Sequence, residues 1–351
     1  MASLTQLADP DHYRPCDWDL QTDAQGRAYW DALFRWHLDD VLVPLIQAEY
    51  GPTREQLADF RHAYRAVFDE LQAHPERYGR VDILLFTELR RRVSAEYGFH
   101  DPFRGVKQRE DETALRLLPG VLAELDAAAP PTRRELLVDG LMAGNLFDLG
   151  SKATVRSHEE GSAAFRESRA RQAERRWLRN DAPAWWRRWE EGPPFRDVLF
   201  FVDNAGSDVV LGCLPLARWM VQAGARVTLA ANTSPALNDI TAAELAPLVE
   251  RCAGLDPFLA TAAHDGRLGV APTGSRLPLL DLTQLSEGFV RTTRDADLIN
   301  LHGMGRAVES NFHARFCCDA VSVALLKDEA VAARLNGALL DCVFRYVPGS
   351  T

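Results

Sequence analysis

The chain has 351 residues, enough to bury a sizeable core and, at about 150 residues per domain, to suggest two lobes. A hydrophobic fraction of 46% and a charged fraction of 26% are those of an ordinary globular protein and exclude extensive disorder. Its 50 acidic against 40 basic side chains leave a formal charge of −10, which argues against a nucleic-acid backbone as partner.

In chain order, residues 1–24 read as a polar arm lying on the surface, punctuated by Pro10 and Pro15. Residues 25–192 read as an all-helical lobe. Trp30, Leu33, Phe34, Leu38 and Val41 mark one amphipathic face, and Leu57, Phe60, Tyr64 and Phe68 a second, with Thr53 placed to cap it. Arg104-Gly-Val-Lys-Gln-Arg-Glu-Asp is a dense polar segment, either solvated or a lid over a crevice. Pro119-Gly120 suggests a break, and Pro130-Pro131 an end, before a helix over 134–143 with Thr132 as its cap.

Composition changes near Pro193-Pro194, after the cluster Trp185, Trp186 and Trp189, which we read as packing between lobes. Residues 193–351 alternate β-rich and helical runs, with strands expected at 197–202, 226–230, 267–271, 297–301 and 338–346. Helices are expected at 209–223, 242–252, 283–293 and 314–335. This alternation predicts an α/β fold, a doubly wound and mainly parallel sheet carrying an N-terminal all-α lobe, with an antiparallel last strand at one edge.

In such a sheet, ligands bind beyond the carboxyl ends of the strands. Four strands each end in small, acidic or amide residues: Asp203-Asn204-Ala205-Gly206, Asn232-Thr233-Ser234, Thr273-Gly274-Ser275 and His302-Gly303-Met304-Gly305-Arg306. Glycines let backbone N–H groups approach an anion, and an arginine such as Arg306 grips phosphate bidentately. Asp203, Asn204 and Asp239 offer the oxygen donors that hard divalent cations prefer. Each has a bland alternative: Asp203 as a turn carboxylate, Asp239 as a helix cap, His302 as a structural histidine. Asn145, Asp148 and Lys152 share a face if helical, as a substrate cluster or as a capping turn, and Lys107 belongs to the polar segment before them.

Several chemistries lack their signatures. There is no G-x-G-x-x-G after the first strand, no Walker loop and no G-x-S-x-G elbow. The six cysteines show no C-x-x-C and no paired metal spacing, and Cys317-Cys318 reads as helix core. No apolar run nears the roughly 20 residues of a membrane span, and the amino terminus lacks a signal pattern, so a cytoplasmic protein with no membrane partner is expected.

Taken together, Asp101-Pro-Phe-Arg-Gly-Val-Lys-Gln-Arg-Glu, Ala143-Gly-Asn-Leu-Phe-Asp-Leu-Gly-Ser-Lys, Val202-Asp-Asn-Ala-Gly-Ser-Asp, Ala231-Asn-Thr-Ser-Pro-Ala-Leu-Asn-Asp, Gly303-Met-Gly-Arg-Ala and Asn311-Phe-His-Ala-Arg-Phe are a specific set. With them the chain resembles the metal-dependent damage-control phosphatase family over residues 25–347, most closely its branch fused to pantothenate kinase in animals and plants. The resemblance implies a divalent ion (Mg²⁺, Mn²⁺, Co²⁺ or Ni²⁺) at Asp203, Asn204 and Asp239. It also implies hydrolysis of a small phosphate monoester, 4′-phosphopantetheine or its oxidised forms, by a phosphatase standing free of a kinase domain. His302 and Glu309 depart from that branch, where glutamate and histidine are expected.

The mechanism that follows places phosphate against Asn232, Ser234, Gly303, Gly305 and Arg306. Lys107, Asn145, Asp148 and Lys152 stand at the cleft mouth, and a metal-activated water is oriented by Asp239. Ala205 stands where a haloacid-dehalogenase phosphatase has its second aspartate, which argues against Asp203 as the nucleophile. The rival expectations are a sugar-phosphate phosphatase of the same family, a metabolite-binding module without turnover, and a methyltransferase.

Overall fold

The computed structural model describes residues 1–146, 165–171 and 174–349. Seven strands form one sheet: β1 (Trp177–Asn180), β2 (Asp197–Phe201), β3 (Arg226–Ala231), β4 (Leu268–Pro272), β5 (Leu298–His302), β6 (Asp319–Leu325) and β7 (Cys342–Val347). Their order is β1-β7-β6-β5-β2-β3-β4, parallel from β6 to β4, with β7 antiparallel to β6. The sheet is doubly wound and mainly parallel, as expected.

Both faces of the sheet are covered, so its strands are apolar at successive positions. On β2, Val198 and Phe200 point into one layer, and Leu199 and Phe201 into the other. The first layer holds α5 (Arg104–Ala127) and α6 (Pro130–Asn145), together with the helices Ala182–Glu191, Leu214–Gln222 and Ala242–Ala253. The second holds α1 (Ala24–His37), α2 (Val43–Tyr50), α3 (Arg54–Ala73) and α4 (Ile83–Glu96). Each layer therefore draws on residues from before and after residue 193.

The helices form for local reasons that the sequence states. Thr53 Oγ1 accepts from the Gln56 N–H and Gln56 Oε1 accepts from the Thr53 N–H, which closes the start of α3. Its Phe60, Tyr64, Phe68 and Leu71 recur at helical spacing and are fully buried. Truncating Phe68 to alanine would cost about 3–5 kcal/mol. The tryptophan cluster packs as an aromatic group, with Trp186 and Trp189 against Trp219 and Trp185 against Phe344. Among the described residues, no helix is long and apolar enough to cross a membrane.

Five expectations need correcting. The run 314–335 is not one helix but β6 followed by a short helix, Glu329–Arg334. A strand buried on both faces is apolar throughout, and periodicity alone cannot separate it from a buried helix. Pro119-Gly120 does not break α5, which ends before Pro130-Pro131 as expected, but α6 starts at Pro130 itself, where a missing N–H costs nothing, and not after Thr132. The last strand is antiparallel but is no edge, because β1 pairs beyond it. Residues 1–24, expected on the surface, send Leu4, Leu7, Cys16 and Leu20 into the second layer.

Candidate active site at the strand ends

The strand order reverses between β5 and β2, and the chain leaves both strands at the same edge. Phe201 is level with Leu301, so Asp203 arrives level with Gly303. Beyond β3 the chain folds back beside β2: Ile240 N–H donates to Asp203 O and Ala205 N–H to Asn238 O. This short antiparallel contact sets Asp239 alongside Asn204.

Arg306 ties the two acids together. It lies in a π-helical turn, Met304–Glu309, just past β5, and is 2% exposed. Its Nη1 donates to Asp203 Oδ1, and its Nη2 to Asp239 Oδ2 at 2.7 Å. Burial lowers the guanidinium pKa, but Asp239 and Asp203 outweigh it, so Arg306 stays charged. Asn232 Nδ2 also donates to Asp239 Oδ2, at 3.1 Å, and to Leu277 O at 3.0 Å.

Asp203 is further held by two amides, Asn145 Nδ2 and Asn204 Nδ2, each 3.1 Å from its Oδ2. Asn145, the last residue of α6, reaches the site because α6 approaches the 207–212 turn closely. A Cβ at Gly144 would stand 2.8 Å from Asp208 Cα, and only glycine permits that contact. Gly303 has φ +91°, and a Cβ there would overlap the Asp203 carboxylate.

Below this pair lies a group that the residue types did not single out. Asp208 is fully buried in a second π-helical turn, Asp208–Cys213. Its Oδ2 accepts from Asn204 N at 3.0 Å and Asn145 Nδ2 at 3.2 Å, and its Oδ1 is 2.6 Å from His302 Nε2. Burial pushes the Asp208 carboxyl up, yet the His302 charge and hydrogen bond, with the Asn204 N–H and Lys327, hold it below the usual carboxylate range. Lys327 Nζ donates to Asn145 O at 3.0 Å. The only sequence signal for Asp208 was its place in the same strand-end turn as Asp203; its partner is 94 residues away.

Asp208, Cys213 and His302 also form a buried group whose ligand atoms lie within 4.8 Å of one another, a possible metal site. Burial, with Asp208 and Asp203 nearby, raises the Cys213 thiol well above its usual range.

The other expected residues are distributed as follows. Asp203, Asn204, Asp239 and Gly305 line one cavity of about 740 Å³, with Glu309 and Asp328 on its wall. Ser234 lines a neighbouring cavity of about 960 Å³. The Gly303 N–H is engaged by Val323 O at 3.0 Å. Lys107 is buried and paired with Asp101 at 3.1 Å and Glu244 at 2.6 Å. Asp148 and Lys152 lie outside the described residues.

The family model described as "Damage-control phosphatase ARMT1-like domain" matches residues 39–343. The 4′-phosphopantetheine phosphatase of Mus musculus is 32% identical over 398 residues, covering 99% of this chain and 48% of that protein. A damage-control phosphatase of Arabidopsis thaliana is 36% identical over 309 residues, 88% of this chain and 82% of that one. The chain spans about half the length, or less, of the longer curated relatives it matches. A solved DUF89 family protein from Pyrococcus horikoshii superposes with a TM-score of 0.62 at 18% identity, over 90% of this chain and 97% of that one, which shows the fold.

Proposed function

The chain belongs to the damage-control phosphatase ARMT1-like family, and from that premise we propose that it hydrolyses a phosphate monoester with a divalent cation held by Asp203, Asn204 and Asp239. One observation carries the reading: the Asp203 and Asp239 carboxylates, from different strand ends, both line one cavity and converge behind it on one buried guanidinium. Two carboxylates and a carboxamide are the donors that Mg²⁺ or Mn²⁺ select. Asn145 Oδ1, beside them, is buried without a hydrogen-bond partner among the described residues. The residues present therefore fit such an ion better than the buried thiol and imidazole group does.

When bound, the ion supplies charge neutralisation and polarises a phosphoryl oxygen. The protein's own groups do the positioning. Asp203 accepts from Arg306, Asn145 and Asn204, which fixes the orientation of its carboxylate. Asp239 accepts from Arg306 and Asn232, and we assign it to orient the attacking water and take its proton. The water oxygen bonds to phosphorus as the ester P–O bond breaks, and the alcohol leaves with the proton that Asp239 took from the water. Arg306, held between the two acids, faces the developing charge.

The 32% identity to a protein named for 4′-phosphopantetheine supports that ester, or an oxidised form of it, as substrate. The test is a hydrolysis screen of phosphopantetheine and sugar phosphates with Mg²⁺, Mn²⁺, Co²⁺ and Ni²⁺ in turn. Release of phosphate from a phosphopantetheine ester with at least one ion is expected. No release from any ester with any ion would overturn the reading and leave a binding module.

A further inference from the structure

The carboxylate cavity and its larger neighbour are lined in common by Thr87, Arg90, Leu237 and Pro278, so they meet at those side chains. Arg90 stands at this junction on α4, its guanidinium 4.9 Å from the centre of the Phe34 ring. Neighbouring Arg91 is held bidentately by Glu88, and Arg306 by two aspartates. Among the described residues no hydrogen bond or ion pair engages Arg90 in this way. A guanidinium with five donors that lines both cavities, with no carboxylate hydrogen-bonded to it, offers a ready partner to an anion entering either one.

The charges on the two cavity walls give a direction. Glu309 and Asp328 line the first cavity, so a neutral or anionic chain extending there would meet carboxylates. The second cavity carries Arg276, His100 and Ser234 beside apolar Leu42 and Phe99, and its Asp101 is already paired with Lys107.

We propose that the substrate spans both cavities, with Arg90 gripping its phosphoryl group at the junction and its alcohol portion lying extended in the second cavity. This rests on the phosphatase reading and deepens it. The second cavity makes the enzyme selective for monophosphates of long, flexible alcohols bearing hydrogen-bonding groups, and Arg90 is a substrate-binding residue.

The test compares the full chain, with its activating divalent ion, on p-nitrophenyl phosphate and on 4′-phosphopantetheine. Ala95→Trp, which intrudes on the second cavity, should lower kcat/KM for the long ester at least about tenfold more than for the compact one. Pro235→Trp, at another position on the same lining, should do the same and guards against a folding defect in either variant. Arg90→Ala should raise KM for both esters about tenfold or more, with partial recovery in Arg90→Lys. Equal effects of both tryptophans on the two esters, or unchanged KM in Arg90→Ala, would overturn this proposal while the phosphatase reading stands. Hydrolysis of neither ester by the unaltered protein would overturn both.

Discussion

His302 Nε2 lies 2.6 Å from Asp208 Oδ1, and neither side chain is more than 1% exposed. Losing His302 leaves the buried Asp208 carboxylate without this partner in a dry site, which is strongly destabilising. His302→Leu should therefore cost about 3–5 kcal/mol in urea unfolding at pH 7. Because the Asp208 carboxyl is held low in the folded protein, its contribution is fully present above the unfolded value of about 4. That contribution is lost as the pH falls through the folded value, so the gap between the two proteins should narrow in acid. An unfolding midpoint for His302→Leu equal to the parent's at pH 7 would show that the pair carries no such weight.

Asn145 donates to both Asp203 and Asp208, and so couples the upper acid to the lower one. Asn145→Leu removes the shared donor while filling similar space. Phosphatase kcat should fall by about 10- to 100-fold, since each lost buried hydrogen bond to a charge is worth about 1.5–3 kcal/mol. KM should change much less. Steady-state kinetics on one ester separate the two terms, and a change confined to KM would place Asn145 on the substrate instead.

Gly303 combines φ +91° with contact between its would-be Cβ and the Asp203 carboxylate. Gly303→Ala should lose both activity and about 1–3 kcal/mol of stability, from the strained backbone and the displaced acid. Gly288 meets nothing within 4 Å at its Cβ position, and Gly288→Ala is the control expected to keep both. Equal behaviour of the two variants in thermal unfolding and turnover would refute the close-approach argument.

Burial pushes the Asp111 carboxyl up to about 7, against the opposing hydrogen bond from Gly206 N–H at 2.7 Å. The folded chain thus holds a proton that the unfolded chain gives up near pH 4, and stability falls as pH rises from about 4 to about 7 through this group. Asp111→Asn keeps an acceptor for Gly206 and removes the titration. Its stability should be flatter across that window and higher than the parent's at pH 8. Parallel pH profiles of the unfolding midpoint for the two proteins would contradict this.

Much of the fold could be read from residues adjacent in sequence. The βαβ unit from β2 to β3 announced itself because each strand is a short apolar run closed by Asp203-Asn204 or Asn232, and α3 because Thr53 and the Phe60 face are local signals. β6 escaped because Ala320-Val-Ser-Val-Ala-Leu is buried on both faces and has no alternation to betray it. In the site, Asp203, Asn204, Asp239 and Arg306 stood out by residue type at strand ends. Their mutual pairing needed the sheet register, which no short window contains. The roles of Asp208, which the strand-end motif contained, and of Arg90 were not legible for the same reason: each takes its meaning from partners far along the chain, His302 for one and the cavity junction for the other.

The most direct test of the account is phosphate release from 4′-phosphopantetheine by the unaltered chain and by Asp203→Asn. Both are measured with each divalent ion and after chelation, with circular dichroism recorded on the same samples. The account predicts metal-dependent turnover in the unaltered chain, none after chelation, and a loss of at least about 100-fold in Asp203→Asn with the folded spectrum intact. Full activity in Asp203→Asn, or undiminished turnover in the chelated protein, would contradict it.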